Sequence, residues 1–186
     1  MADTGPTNAE ERASDEPDDA FTLVDESPSD AAGDLVGIFK DGVIGAVAGA
    51  AGTVMLSAVL FVALNLGWFD SSAFGGLAAL VGLGSDNLLG YVIFFGGGMT
   101  TWPLLFVSVQ EYLPGPRLAL RGVSFATITW TGFVGAFYTG QSGLALAGYV
   151  VCSLVAHWAY GFTLGSVFEY FLERVDTRIG GRPRIE

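Results

Sequence analysis

The chain has 186 residues, 51% of them hydrophobic and only 15% charged, with 27 glycines and a formal net charge of −11. Ordinary soluble domains carry roughly 25% charged residues, so this composition does not suit a water-facing globule, and eight Lys and Arg are too few to cluster on nucleic-acid phosphates. A single cysteine, Cys152, and a single histidine exclude an intrachain disulfide, a thiolate-rich metal site and any chemistry that needs two histidines of this chain.

The charge is concentrated at the start. Residues 1–35 hold eleven of the nineteen acids and one base, Arg12, while the remaining residues sum to −1. With few large apolar side chains, the first segment cannot bury enough surface to offset its chain entropy. Residues 1–35 are therefore expected to be a disordered acidic tail, with Phe21 to Val24 as a coincidental apolar island and a docking motif as the alternative. The acidic, polar beginning is unlike a secretory signal, which opens with a basic region and an apolar run.

Four uncharged apolar segments follow, at about 43–66, 88–112, 122–138 and 144–168, with Glu111 near the end of the second. About 20 residues of helix cross a bilayer core. The expected fold is all-α: a polytopic membrane protein, with a four-transmembrane-helix bundle over residues 36–171 and a basic cytoplasmic tail over 172–186. The apolar stretch 73–84 is too short to cross as a helix. It is expected to lie flat at the interface, with a re-entrant piece as the alternative.

Basic residues fix the expected orientation. Lys40, Arg117, Arg121, Arg174, Arg178, Arg182 and Arg184 fall on one side of a four-span topology, and the links on the other side have none. Both termini are then cytoplasmic and the location is the cell membrane. Trp68, Tyr91, Tyr138 and Tyr149 fall near the outer ends, and Tyr112 and Tyr170 near the inner ones, a depth amphipathic rings prefer.

Small residues recur at helical spacing in three segments. They are Gly42, Gly45, Gly49 and Gly52 in the first, Ser124, Thr127, Thr131 and Gly135 in the third, and Ser153, His157, Gly161 and Gly165 in the fourth. In lipid, helices associate through close backbone approach. Gly45, Gly49, Gly52, Gly161 and Gly165 are accordingly expected to pack helices, with room for a flat cofactor or lipid as the alternative. Gly96, Gly97 and Gly98, followed by Pro103, predict a kink or local unwinding in the second segment. Broken helices of this kind expose backbone groups in transporters.

His157 lies near the middle of the fourth segment. Intramembrane ionisable groups are costly and face a bundle interior or a cavity. Met55, Met99, Trp102, Trp130 and Trp158 fall at similar depth, so that every span contributes to one central layer. His157, Met99, Met55, Trp102, Trp130 and Tyr160 form the candidate intramembrane site. The plain reading has large rings filling space opposite glycines, with His157 hydrogen-bonded across helices. The alternative makes His157 and Met99 or Met55 axial ligands of a haem. Otherwise no cofactor, no metal site and no catalytic set is expected. Gln110 and Glu111 are placed to pair with Arg117 or Arg121, and Glu169 and Glu173 with Arg174, as an ion-paired rim.

The AGAAGTVMLSAVL stretch of the first segment and the run of His157, Tyr160, Gly161, Leu164 and Gly165 resemble a family of small four-span membrane proteins associated with halophilic archaea and some bacteria. The resemblance covers about residues 38–171. Members often carry a label linking them to cytochrome c oxidase subunit I, which implies a respiratory neighbourhood. With one histidine, this chain departs from the catalytic oxidase subunit, whose several histidines hold haems and copper. The resemblance thus implies a non-catalytic accessory or assembly subunit of a membrane complex. Its expected partners are the lipid bilayer and a membrane protein or further copies of itself. The alternative function is a small transporter or ion pathway using the broken second segment and His157.

Overall fold

The computed structural model describes residues 28–174, with side chains from residue 37. The expected arm up to residue 27, with Phe21 to Val24, and the tail from residue 175 lie outside the described residues. Within them the chain is helical: α1 (Pro28–Asn65), α2 (Ser72–Leu80), α3 (Asn87–Met99), α4 (Thr101–Val109), a 3-10 turn (Gln110–Tyr112), α5 (Leu118–Ala136) and α6 (Gly143–Arg174). Residues 28–35, expected to belong to a disordered arm, are instead the first turns of α1. Proline at the first helical position supplies a pre-set φ and gives up an N–H that would have had no partner.

Three helical stretches are long and apolar enough to cross a membrane: Gly37–Asn65, Asn87–Tyr112 and Gly143–Arg174. α5 has 19 residues, but Arg121 and its three threonines make it less apolar than these. Val54, Phe61, Ile128, Val151 and Phe162 point outward and are more than half exposed. An outer surface built of such residues is matched to lipid rather than to water.

α6 is the hub. It packs α1 on one side and α5 on the other, and α1 also meets α3 and α4. Two rows on α6 divide the work. Tyr160 and Phe168 face the side of α1 and α4, where Tyr160 lies on Gly52, and Phe168 lies on Gly45 and against Phe106. Gly161 and Gly165 face α5, where Gly161 meets the backbone of Gly122 and Gly165 that of Leu118. These contacts bring the Lys40 end of α1, the Arg117 end of α5 and the Arg174 end of α6 to one end of the bundle. At the other end, Gly67 (φ 72°) closes α1 and the Trp68 N–H returns to the Ala63 carbonyl. The Trp68 indole then lies on Gly148 of α6.

The packing row of α5 differs from the expected one. Ala119, Gly122, Ala126 and Phe133 are buried, while Thr127, Thr131 and Gly135 face outward. The hydroxyls make this possible. Ser124 donates to the Leu120 and Pro114 carbonyls, Thr127 to Val123 and Thr131 to Ile128. A hydroxyl satisfied by carbonyls beside it does not need a neighbouring helix for its polarity.

Most of the stretch 73–84 belongs to α2, which ends at Leu80, folds back along α3 and buries Ala73, Phe74, Gly75 and Ala78. The Phe74 carbonyl sits against Gly90, where a side chain would collide with it. Asp70 and Asp86 start the two helices of this hairpin: Asp70 accepts the Ser72 N–H at 2.8 Å and Asp86 accepts the Leu89 N–H at 2.7 Å.

At the basic end, Arg121 donates to the Gln110 side chain at 3.0 Å and to the Gly115 carbonyl at 3.1 Å, tying the 3-10 turn to α5. Arg174 lies over the Tyr170 ring, 3.8 Å from its centre. The rim is thus held by amide and ring contacts, where pairs of Glu111, Glu169 and Glu173 with arginine were expected; the described residues make no ion pair of that kind.

Candidate functional site

The expected kink is a break at Thr100, between α3 and α4. Thr100 has φ −118° and ψ −63°, off the helical path. Pro103 has no N–H for the Met99 carbonyl four residues back. The Thr100 N–H and hydroxyl both bond to the Gly96 carbonyl, and the Gly98 carbonyl accepts the Tyr160 hydroxyl of α6 at 2.9 Å. α1 comes close at the same level: a side chain at Gly49 would strike Pro103 and the Gly98 carbonyl, and one at Gly98 would strike Thr53. Gly49, Gly98 and a cross-helix tyrosine therefore hold the break shut against α1 and α6.

Beside the break is a cavity of about 320 Å³, lined from α1 by Thr53 and Leu56, from α2 by Leu77, from α3 by Ile93, Phe94, Gly97 and Gly98, and from α4 by Thr101 and Trp102. α5 adds Thr129, Gly132, Phe133, Ala136 and the adjoining Phe137, and α6 adds His157 and Tyr160. Thr101, Trp102, Gly132 and Ala136 are exposed, so the mouth opens sideways between α4 and α5. Rings form much of the wall: Phe133 stacks on Phe137 with centres 4.2 Å apart, and Phe94 meets both.

His157 is 6% exposed and sits with its ring 4.6 Å from that of Phe133. Its Nδ1 is 2.8 Å from the carbonyl of Ser153, one turn back on α6. The Ser153 hydroxyl accepts the Trp130 indole N–H at 2.9 Å, so α5 steadies the turn that orients the imidazole.

Of the six candidate residues, the cavity gathers His157, Tyr160 and Trp102. Trp130 acts through Ser153. Met55 is 46% exposed on the outer face of α1, and Met99 is half-buried; neither lines the cavity. The layer of Met, Trp and His that sequence depth suggests thus splits by helix rotation, and no His157–methionine pair faces across the cavity. Trp158 also points outward, its N–H bonded to the Thr127 hydroxyl at 3.0 Å. Tryptophan at mid-depth is explained by these α5–α6 bonds, which satisfy two indoles far from the interface. Sequence reasoning missed Phe94, Thr129 and Phe133. The i, i+4 spacing of Thr129 and Phe133 is a usable signal, but the outward threonine row beside it gives the same period.

Residues 39–179 match the model of a family of unknown function (DUF6789). The chain belongs to this family. No curated protein and no solved structure matches it. The matched region takes in the break, the cavity and the whole of α6. Among the described residues, no group of three or more His, Cys, Asp or Glu is placed to hold a metal.

Proposed function

We propose that this family member is a four-span protein of the cell membrane whose centre holds a lipid or small apolar molecule, and that it serves a membrane complex as a non-catalytic accessory or assembly subunit. The observation that carries the reading is the cavity, walled by rings and glycines and opening sideways toward lipid. At about 320 Å³ it is near the lower end of ligand sites, roughly 300–1,000 Å³, and about twice a 150 Å³ apolar cavity that takes benzene. Its lining has no carboxylate and no lysine or arginine, which suits an uncharged guest.

α5 is the fourth span in this reading. Packed along α6, with its hydroxyls satisfied by nearby carbonyls, it loses little by facing lipid on one side. The gathering of Lys40, Arg117, Arg121 and Arg174 at one end favours that end as cytoplasmic, and both termini with it. The link to halophilic organisms and to a respiratory oxidase rests on the resemblance in the first and last spans. Purification in mild detergent tests the accessory role: a protein that always runs alone and monomeric would count against it.

The cavity has its own test. Gly132 lines the mouth and a Cβ built there meets nothing within 4 Å, so Gly132→Phe is expected to narrow the mouth with the fold retained. Organic extraction of the purified wild-type protein is expected to release a bound lipid or apolar molecule, and the variant is expected to have lost it. Equal retention by both proteins refutes the cavity as the binding place.

A second reading, an ion or solute pathway, draws on the break at Thr100, which adjoins the cavity. Flux into vesicles under a proton or sodium gradient tests it, and no flux under either ends it.

A further inference from the structure

The buried end of the cavity has spent its hydrogens. A neutral imidazole has one donor nitrogen and one acceptor. Nδ1 of His157 faces the Ser153 carbonyl at 2.8 Å, and a carbonyl oxygen only accepts, so Nδ1 carries the ring hydrogen. Nε2 keeps a lone pair and has no hydrogen bond to any described residue. It is not sealed either, because the one sealed, unpartnered side-chain nitrogen or oxygen among the described residues is Oδ1 of Asp41. With Nδ1 turned to the Ser153 carbonyl and His157 lining the cavity, we place Nε2 at the cavity wall.

The hydroxyls around it are committed in the same way. Thr53 donates to the Gly49 carbonyl at 2.8 Å, Tyr160 to Gly98 at 2.9 Å and Thr129 to Ala126 at 3.2 Å. Only lone pairs remain for a guest at this depth. The lining donors without a partner, the Trp102 indole N–H and the Thr101 hydroxyl, are at the exposed mouth. An imidazolium here would lack any lining carboxylate to offset its charge, which favours the neutral ring.

The geometry points to a guest that brings a hydrogen inward: an apolar molecule ending in one hydroxyl, a phenol or an alcohol, that donates to Nε2 of His157. The inference rests on the cavity reading above and adds the chemistry of its head group. An ether or ketone of the same shape places an oxygen lone pair against the Nε2 lone pair and leaves both without a donor, which a buried site penalises.

The chain's single histidine makes the test unambiguous. Full-length protein in lipid nanodiscs, isotope-labelled at the histidine ring nitrogens, is titrated with para-hexylphenol and with its methyl ether, and bound ligand is followed by nitrogen NMR. The expected free state has Nε2 with the shift of a bare, pyridine-type nitrogen and Nδ1 with that of a protonated one. The phenol is expected to move the Nε2 signal and to bind about tenfold tighter than the ether. In His157→Phe, which keeps a ring of similar bulk, the preference should fall to about one. Equal binding of phenol and ether to the wild type, or a bare Nδ1 in the free state, overturns the donor rule and leaves the cavity reading in place. Binding of neither probe overturns both.

Discussion

The two halves that flank α6 are built by opposite means. On the α5 side, Gly122 and Gly161 bring the two backbones into contact, and the Trp130 and Trp158 indoles bond across to Ser153 and Thr127. Toward α3 and α4, the helix is interrupted at Thr100, and a cavity lies between the break and the last turns of α5, covered by Phe94 from α3 and by Phe133 and Phe137 from the end of α5. Close backbone approach leaves no volume for a guest. A broken helix, by contrast, needs partners for its loosened carbonyls, and one of them comes from Tyr160. The rigid seam and the binding space therefore adjoin along α6: His157 lies one turn from Ser153, which takes the Trp130 bond, and one turn from Gly161, which meets Gly122, and it lines the cavity beside them.

The contrast can be broken most sharply at the seam. Gly161→Leu drives a side chain into the Gly122 backbone, which cannot yield as a flexible side chain can, and should cost about 3 kcal/mol. Gly135→Leu, in open space on the same pair of helices, should leave stability within about 0.5 kcal/mol. Denaturation in detergent followed by circular dichroism compares the two, and equal losses would mean that the seam is not where stability resides.

A smaller effect is expected at the break. Tyr160→Phe keeps the ring on Gly52 and removes only the hydroxyl from the Gly98 carbonyl, for a loss of about 1 kcal/mol. Hydrogen exchange should rise over residues 98–104 and stay constant in α5. An increase spread evenly over both halves would contradict the division. Trp158→Phe removes one bond to Thr127 on the outer face, and should cost about 0.6 kcal/mol with exchange changes confined to α5 and α6.

The smallest effect belongs to the hairpin start. The Ser72 backbone N–H, and then its hydroxyl, hold the Asp70 carboxyl below the usual value of 3.8. A lowered carboxyl contributes stability that is present above the ordinary value and lost as pH falls through its folded value. A carboxyl titration by NMR should place the Asp70 midpoint below 3.8. Asp70→Asn should abolish only that acid-side change at the beginning of α2, and a midpoint above 3.8 would remove the contact from solution.

Residue type and spacing alone determined the helical class, the three stretches apolar enough to cross a membrane and the weak point before Pro103, because those depend on apolar run length and on the chemistry of Gly and Pro within a few residues. The same information placed the first turns of α1 in a disordered arm and chose the wrong row of α5, since Thr127 and Thr131 have the period of a packing face but satisfy their hydroxyls on their own helix. Met55 and Met99 share a depth with His157 in the chain, yet depth does not fix rotation about a helix axis. Tertiary structure decided which lone pairs point inward: α5 had to approach α6 to 2.9 Å at Ser153, and α6 had to reach Gly98, before the cavity and its histidine existed as one place.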